Sequence, residues 1–388
     1  MRSALVVLVC VGCQAAAIPA PGVVHSDVAT VTGEDGWAVN YPPQHKVFDM
    51  AGLLWVFYSD GESIRSTTTA DGATWSAPQV VRSYGTLGHR IGLWFDGTHI
   101  HYAFATAETD GDVYYRRGVP GSDGTIAWDA PEQVAFAMPA GDNAMYPKVM
   151  IDSLGQPWIG FVLVKGGITT PPYDAVVTMS DATDGTWATG AGFPFTLVSD
   201  HESTYPDPAG VALSDGRMFW VYNRDDDSGP FAGRLYDNGW ADEAAITETT
   251  GQYGLYSIAA DGDDVDLVYR GGGALRQRSR AADGSWSSEV ELDSSGSGHT
   301  SITLLGGGDM LVTWLDTGDD QVQFRERDGG AWGPTMLLAD ESAQALADKK
   351  NGINSNAIVE ASDRWKAAVV YTTGTEEPYV LRFAGLPR

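Results

Sequence analysis

The chain has 388 residues, a formal net charge of −27 and 43% hydrophobic residues. Such acidity makes nucleic acid and anionic membrane surfaces poor partners, and the hydrophobic content excludes a disordered chain. With 47 Gly, 13 Trp and 16 Tyr, the composition favours many short strands and tight turns over helices.

At the N-terminus, Arg2 precedes an apolar run from Ala4 to Val11, then Gly12, Cys13 and the small residues Ala15, Ala16 and Ala17. That order of positive, apolar and small residues predicts an export signal over residues 1–20 and an extracytoplasmic protein, secreted or anchored. Val11-Gly12-Cys13 resembles the bacterial lipoprotein cleavage motif, which implies lipidation of Cys13. Ordinary cleavage between Ala15 and Ala20 is the alternative. A lipid there would be the only membrane attachment, because no stretch approaches the roughly 18 apolar residues of a spanning helix. The only two cysteines, Cys10 and Cys13, lie in the signal. A mature domain of residues 21–388 therefore has neither disulfide nor thiol chemistry.

Residues 28–32 form a β-prone segment with no hairpin partner of its own. Seven apolar hairpins then follow: 47–49 with 53–58, 91–95 with 100–104, 149–151 with 158–161, 211–213 with 218–222, 257–259 with 265–269, 302–305 with 310–314, and 357–360 with 367–371. Several join through Asp-Gly pairs, as at Asp96-Gly97 and Asp261-Gly262, which suit turns needing positive φ. Between them recurs a polar Asp/Gly turn leading to a Trp: Asp71-Gly72-Ala73-Thr74-Trp75, then Trp128, Trp187, Trp240, Trp286 and Trp332. These tryptophans stand 46 to 59 residues apart, the length of a propeller blade.

The pattern predicts an all-β protein, a β-propeller of four-stranded antiparallel blades. Seven hairpins imply seven blades, with six as the alternative if one hairpin is an insertion. The last hairpin is followed by one more strand, 379–383, and then the chain ends, so the last blade is one strand short. Pairing it with residues 28–32 would close the ring and remove two sheet edges.

With these turns the chain resembles the sialidase-like Asp-box (BNR-repeat) superfamily. Thr68 to Trp75 is the nearest match to the box, with Asp71 one place later than the box Asp. The resemblance implies that the Trp turns are structural and sit between blades. It places ligands on the other face, where loops enter the first strand of each blade and join the second to the third. Residues at those places are His45, Lys46, His89, Arg90, Tyr146, Lys148, Tyr205, Asp207, Arg224, Tyr253, Tyr256, Arg270 and His299. Aromatic rings stack on sugar faces and cations pair with carboxylates, so the expected partner is a glycan or glycoconjugate. A protein partner on the same face is the alternative.

A sialidase uses three arginines for the substrate carboxylate, a Tyr nucleophile assisted by Glu, and an Asp acid/base. The first arginine belongs to an aromatic-Arg-Ile-Pro motif. Here Gln44-His45-Lys46-Val47 stands in its place, and Arg-Ile-Pro occurs nowhere. Lys and His do not reproduce the planar bidentate fork of Arg. The leading reading is therefore a propeller that binds glycan at the central face, with glycosidase activity left open; an exo-sialidase is the second, and no residue is assigned as catalytic. No cofactor is expected. Calcium is the alternative: Asp225-Asp226-Asp227 and the run Asp316 to Asp320 offer oxygen ligands, but neither has the spacing of an EF-hand loop, and solvated turns are the favoured reading. No His cluster has the spacing of a zinc site, so no metal site is assigned.

Overall fold

A computed structural model describes residues 17–32, 37–83, 90–106, 108, 110–167, 169–202, 204–223, 230–243, 246–249, 251–294, 299–316, 318–346 and 355–388, without the side chains of 251–254. Seven antiparallel sheets follow one another along the chain. Blade 1 is Val47–Met50, Leu53–Ser59, Ile64–Thr69 and Gln79–Arg82, from the innermost strand outward. Blade 2 is Ile91–Phe95, Ile100–Ala105 and Val113–Pro120, with an outer strand split into Ile126–Trp128 and Gln133–Phe136. Blade 3 is Asn143–Ile151, Pro157–Val164, Tyr173–Met179 and Phe195–His201, and blade 4 is Ala209–Ala212, Met218–Asn223, Phe231–Tyr236 and Trp240–Glu243. Blade 5 is Gly251–Asp261, Asp264–Gly271, Ala274–Arg280 and Val290–Asp293. Blade 6 is Thr300–Gly306, Asp309–Asp316, Gln321–Asp328 and Met336–Asp340.

Blade 7 takes strands from both ends of the chain. Ser355–Ala357, Trp365–Thr373 and Tyr379–Pro387 are completed by Val24–Val31, which pairs antiparallel with Tyr379–Pro387. The closing strand is longer than the segment read from the sequence. Val28 and Val31 are buried among Leu54, Val56, Trp365, Leu381 and Phe383, in a core shared by the first and last blades. Upstream, Ile18–Pro19 adds a short parallel strand beside Met336–Asp340, so sheet pairing reaches back to Ile18.

Burial follows distance from the axis. Pro157–Val164 is buried at every position, whereas in Gln79–Arg82 only Val81 is buried. A second strand covered on both faces by neighbouring blades must be apolar throughout, which is why these strands read as unbroken hydrophobic runs. Four of them carry a fully buried Trp, namely Trp55, Trp158, Trp220 and Trp314. Trp220 fits because Gly210 has no side chain: a Cβ there would lie 2.7 Å from the indole.

The Asp-Gly turns hold themselves. Asp71 Oδ1 accepts the amides of Ala73 and Thr74, each at 2.9 Å, while Gly72 turns with φ +73°. Asp123, Asp184 and Asp283 each accept an amide and a hydroxyl from Thr125, Thr186 and Ser285. The tryptophans that follow reach back to the preceding blade: Trp75 meets Phe383, Trp187 meets Tyr115, Trp240 stacks on Phe195, and Trp286 meets Phe219. All six Trp-turn indoles are half-buried at the rim, not enclosed. The Trp75 indole donates to Ser26 Oγ at 2.8 Å, and the Ser26 hydroxyl donates to the Gly72 carbonyl at 2.6 Å. The first Trp turn is thus tied to the closing strand.

Removing residues 17–31 is expected to lower Tm sharply and promote association through the bared edge of Tyr379–Pro387. A thermal melt equal to the full chain's would contradict closure through this strand. For the half-buried Trp75, Trp75→Ala is expected to cost about 1–3 kcal/mol in denaturant unfolding, less than truncation of a fully enclosed ring.

Candidate functional site

The loops into the first strands and between second and third strands share one face, here the entry face. At its centre, residues 38–46 cross the axis before blade 1 begins, and every one of them is buried. A single 3-10 turn, Pro42–Gln44, forms the middle of this plug, where the prolines pre-set φ. It rests against the innermost strands of blades 2, 3, 5, 6 and 7. The Gln44 amide donates to the Pro147 carbonyl at 3.0 Å, and Asn356 Oδ1 accepts the Lys46 amide at 2.8 Å. Asn356 Nδ2 in turn donates to the carbonyls of Tyr41 and Pro42 at 3.3 and 3.4 Å.

Charge at the centre is internal. Lys46 is fully buried, with Nζ donating to the Ile91 carbonyl at 2.5 Å and to Gln44 Oε1 at 3.4 Å. Burial first, and then the Lys148 ammonium, holds Lys46 well below the usual lysine value. Lys148 and Asp207 form a salt bridge with no solvent exposure. Burial pushes the Lys148 ammonium down and the Asp207 carboxyl up, and the attraction between them opposes both shifts. The Tyr256 hydroxyl donates to the Asp207 carbonyl at 2.6 Å, and burial raises its phenol, the opposite of what a nucleophile needs. Burial, then Lys46 and Lys148, lowers His45 to about 3, with its ring against Trp94 at 5.3 Å. His299 is fully buried beside the Tyr41 ring, and burial holds it well below the usual value.

Beside this centre lies a bed of tyrosines. Tyr146 packs edge-on to Tyr41 at 4.7 Å and to Tyr205 at 5.1 Å, and Tyr173 lies 4.6 Å from Tyr205. The Tyr173 hydroxyl donates to the Thr169 carbonyl at 2.6 Å, which fixes the loop between the second and third strands of blade 3 over the bed. Tyr41, Tyr146 and Tyr173 are buried, and Tyr205 keeps part of its ring exposed. Tyr146 has φ +54°, where the pairing of the first two strands of blade 3 slips between Met145 and Lys148. A bulky residue in this left-handed region carries strain of roughly 1–3 kcal/mol, and such strain concentrates where geometry serves a function.

The candidates thus divide. His45, Lys46, Lys148, Asp207, Tyr256 and His299 come together as buried scaffold around the axis, and Tyr146 and Tyr205 meet in the tyrosine bed. Arg90 is turned to the Thr106 carbonyl, and Arg270 is half-buried at the end of its strand. Cys13, His89 and Arg224 lie outside the described residues, as does the Tyr253 side chain. Of the acidic runs, Asp225 to Asp227 are outside them, and Asp316 Oδ1 caps its own turn by accepting the Gly318 amide at 3.0 Å. The sequence reading did not single out Tyr41 and Tyr173. The unusual run Asn40-Tyr41-Pro42-Pro43-Gln44, polar and Pro-rich where a strand should begin, was the signal for the plug.

Lys148→Met alone is expected to cost about 3–5 kcal/mol, because it strands the Asp207 carboxylate in the interior, whereas Lys148→Met with Asp207→Leu should recover most of that loss. A double variant no more stable than the single would contradict an isolated buried pair. His45 is neutral in the fold, so its contribution is present above its unfolded value near 6.5 and is lost as pH falls toward about 3. His45→Asn should therefore flatten the stability profile over that window by about 1.4 kcal/mol per pH unit. Parallel profiles for both proteins would contradict this.

No protein-family model matches the chain, and no curated protein matches it. Among solved structures it superposes on a protein of unknown function from Dyadobacter fermentans with a TM-score of 0.54 and 12% identity, over 95% of this chain and all of that one. It also superposes on an ulvan lyase of polysaccharide lyase family PL25, bound to -[GlcA(1-4)Rha3S]-, with a TM-score of 0.57 and 12% identity, over 91% of this chain and 95% of that one. A Hadza microbial sialidase, Hz136, matches with a TM-score of 0.50 and 13% identity, over 84% of this chain and 74% of that one. At such identities the likeness is one of fold, and the chain has the fold of a seven-bladed β-propeller.

Proposed function

We propose that the protein is an exported glycan-binding propeller that takes its ligand on the entry face, off the axis, over the tyrosine bed of blade 3. The observation that carries the reading is Tyr205, a partly exposed ring backed by the buried rings of Tyr146 and Tyr173. A ring held by other rings loses little freedom when a sugar stacks on it, so its exposed area serves recognition at small entropic cost. Strain at Tyr146 and the anchored loop at Thr169 support the same place. The signal-like residues Arg2 and Ala4 to Val11 support export, with Cys13 as the site of a lipid anchor. The match to a sialidase and to a polysaccharide lyase supports carbohydrate as the ligand class.

The exo-sialidase reading has less support. Lys46 stands where the first arginine would be and is enclosed, with its ammonium committed to Gln44 and Ile91. A substrate carboxylate arriving from solvent would have to displace the plug to reach it.

The test is affinity electrophoresis and calorimetry of the exported form with neutral and uronate-containing polysaccharides, run beside fluorogenic sialosides and an ultraviolet assay for the unsaturated product of β-elimination. Binding is expected without turnover, and Tyr205→Ala should weaken it about tenfold, or ~1.4 kcal/mol, with the fold unchanged by near-ultraviolet circular dichroism. No binding to any polysaccharide would overturn the glycan reading, and unimpaired binding by Tyr205→Ala would overturn the site.

A further inference from the structure

The other face of the ring, which carries the first hairpins and the Trp turns, holds a group of side chains that neither the plug nor the tyrosine bed uses. In blade 2 the hairpin between Ile91–Phe95 and Ile100–Ala105 contains Asp96, His99 and His101. Their ligand-type atoms all lie within 4.8 Å of one another. The turn itself presents them. Asp96 Oδ1 accepts the amides of Thr98 and His99 at 2.8 and 2.6 Å, which fixes the carboxylate and leaves Oδ2 turned toward the histidines. His99 and His101 are two residues apart at the start of a strand, and side chains at that spacing share one face.

We propose that Asp96, His99 and His101 form a binding site for one divalent transition-metal ion of the zinc class, on the Trp-turn face of blade 2. Two imidazoles and one carboxylate suit zinc, copper or nickel rather than calcium or magnesium, which take oxygen ligands. The spacing fits. Ligands about 2.0–2.1 Å from a tetrahedral ion lie roughly 3.3 Å from one another. Asp96 Oδ2 lies 3.0 Å from His101 Nε2 and 3.5 Å from His99 Nδ1, on either side of that value.

The partners behind the histidines point the same way. His101 is buried, and its Nδ1 lies 2.8 Å from the Tyr115 hydroxyl, so the ring is fixed with Nε2 toward Asp96. His99 Nε2 lies 3.8 Å from Asp129 Oδ2, and Arg117 holds that carboxylate at 2.7 Å. His101 therefore presents one nitrogen to the shared centre and the other to a hydroxyl within hydrogen-bond distance, the arrangement seen behind metal-ligating histidines, while the Asp129 carboxylate stands near the far nitrogen of His99 without bonding it. The side chains of Asp96 and His99 are each about a fifth exposed, at 22% and 23%, so an ion enters from solvent without unfolding the hairpin. A hydrogen bond between Asp96 and His101 alone would not explain the approach of His99 Nδ1 to the same carboxylate oxygen.

The test uses the full chain stripped of metal by a chelator and titrated with ZnCl₂ by calorimetry, with cobalt substitution read by visible absorption. One equivalent of Zn²⁺ should bind, with a rise in Tm that excess Ca²⁺ does not reproduce. His99→Gln and Asp96→Asn are the variants of choice, since both positions are partly exposed and Asn can still accept the turn amides. Each should weaken Zn²⁺ binding by about 100-fold or more, while the metal-free melting temperature stays near that of the unmodified protein. Failure of the unmodified protein to bind Zn²⁺ would overturn the proposal, as would equal affinity in both variants, which would place the ion among other surface carboxylates.

Discussion

The structure depends on closure of a ring whose first and last strands come from opposite ends of the chain. Six blades are local: each is a meander whose strands follow one another in sequence. The seventh exists only when Val24–Val31 reaches Tyr379–Pro387, across nearly the whole length of the protein. Both edges of an open sheet stack would otherwise be exposed, so closure fixes the number of blades and the register of every interface between them. The link from Trp75 to Ser26 and on to Gly72 joins that strand to the first Trp turn, and a shared apolar core fills the joint behind it.

Closing a ring leaves an axis that must be filled or wetted. Here residues 38–46 fill the entry side. The polar groups enclosed there are tied to one another: Lys46 to Gln44 and a backbone carbonyl, Asn356 to the plug, Lys148 to Asp207. Groups that would be recognition elements in an open channel are instead spent within the plug and on the innermost strands of the blades it rests against. The same burial leaves His45 and His299 as neutral imidazoles. The proposed recognition surface therefore lies off the axis, on the shoulder of blade 3, where the Tyr205 side chain remains partly open to solvent.

The architecture was legible because a propeller repeats its punctuation. Seven hairpins, six Trp turns and an unpaired strand at each end predict the ring and its closure, and the sheets have that order. The location of the charges was not legible. From the chain, Lys46 and Lys148 stand at strand entrances on the entry face, and nothing local distinguishes an open entrance from an occluded one. Whether a side chain there meets solvent depends on residues 38–46, whose path is set by five other blades. The enclosed rings were equally hidden: the conspicuous Trp-turn indoles are half-buried, while Trp55, Trp158, Trp220 and Trp314 sit inside strands whose apolar runs conceal them. Asp96, His99 and His101 stand together in the sequence but match no zinc-site spacing, and the hydroxyl of Tyr115 behind His101 is brought there only by the folded blade.

A structural plug closes the axis, and the proposed ligand site lies beside it. Hydrogen–deuterium exchange with and without a bound oligosaccharide tests this most directly, since amides report where contact and ordering occur. The account predicts added protection in residues 142–148, 166–173 and 204–207, with residues 38–46 already protected in the unliganded protein and unchanged on binding. Rapid exchange of 38–46 without ligand, or ligand-induced protection centred on that segment, would show that the axis opens to solvent and would contradict it.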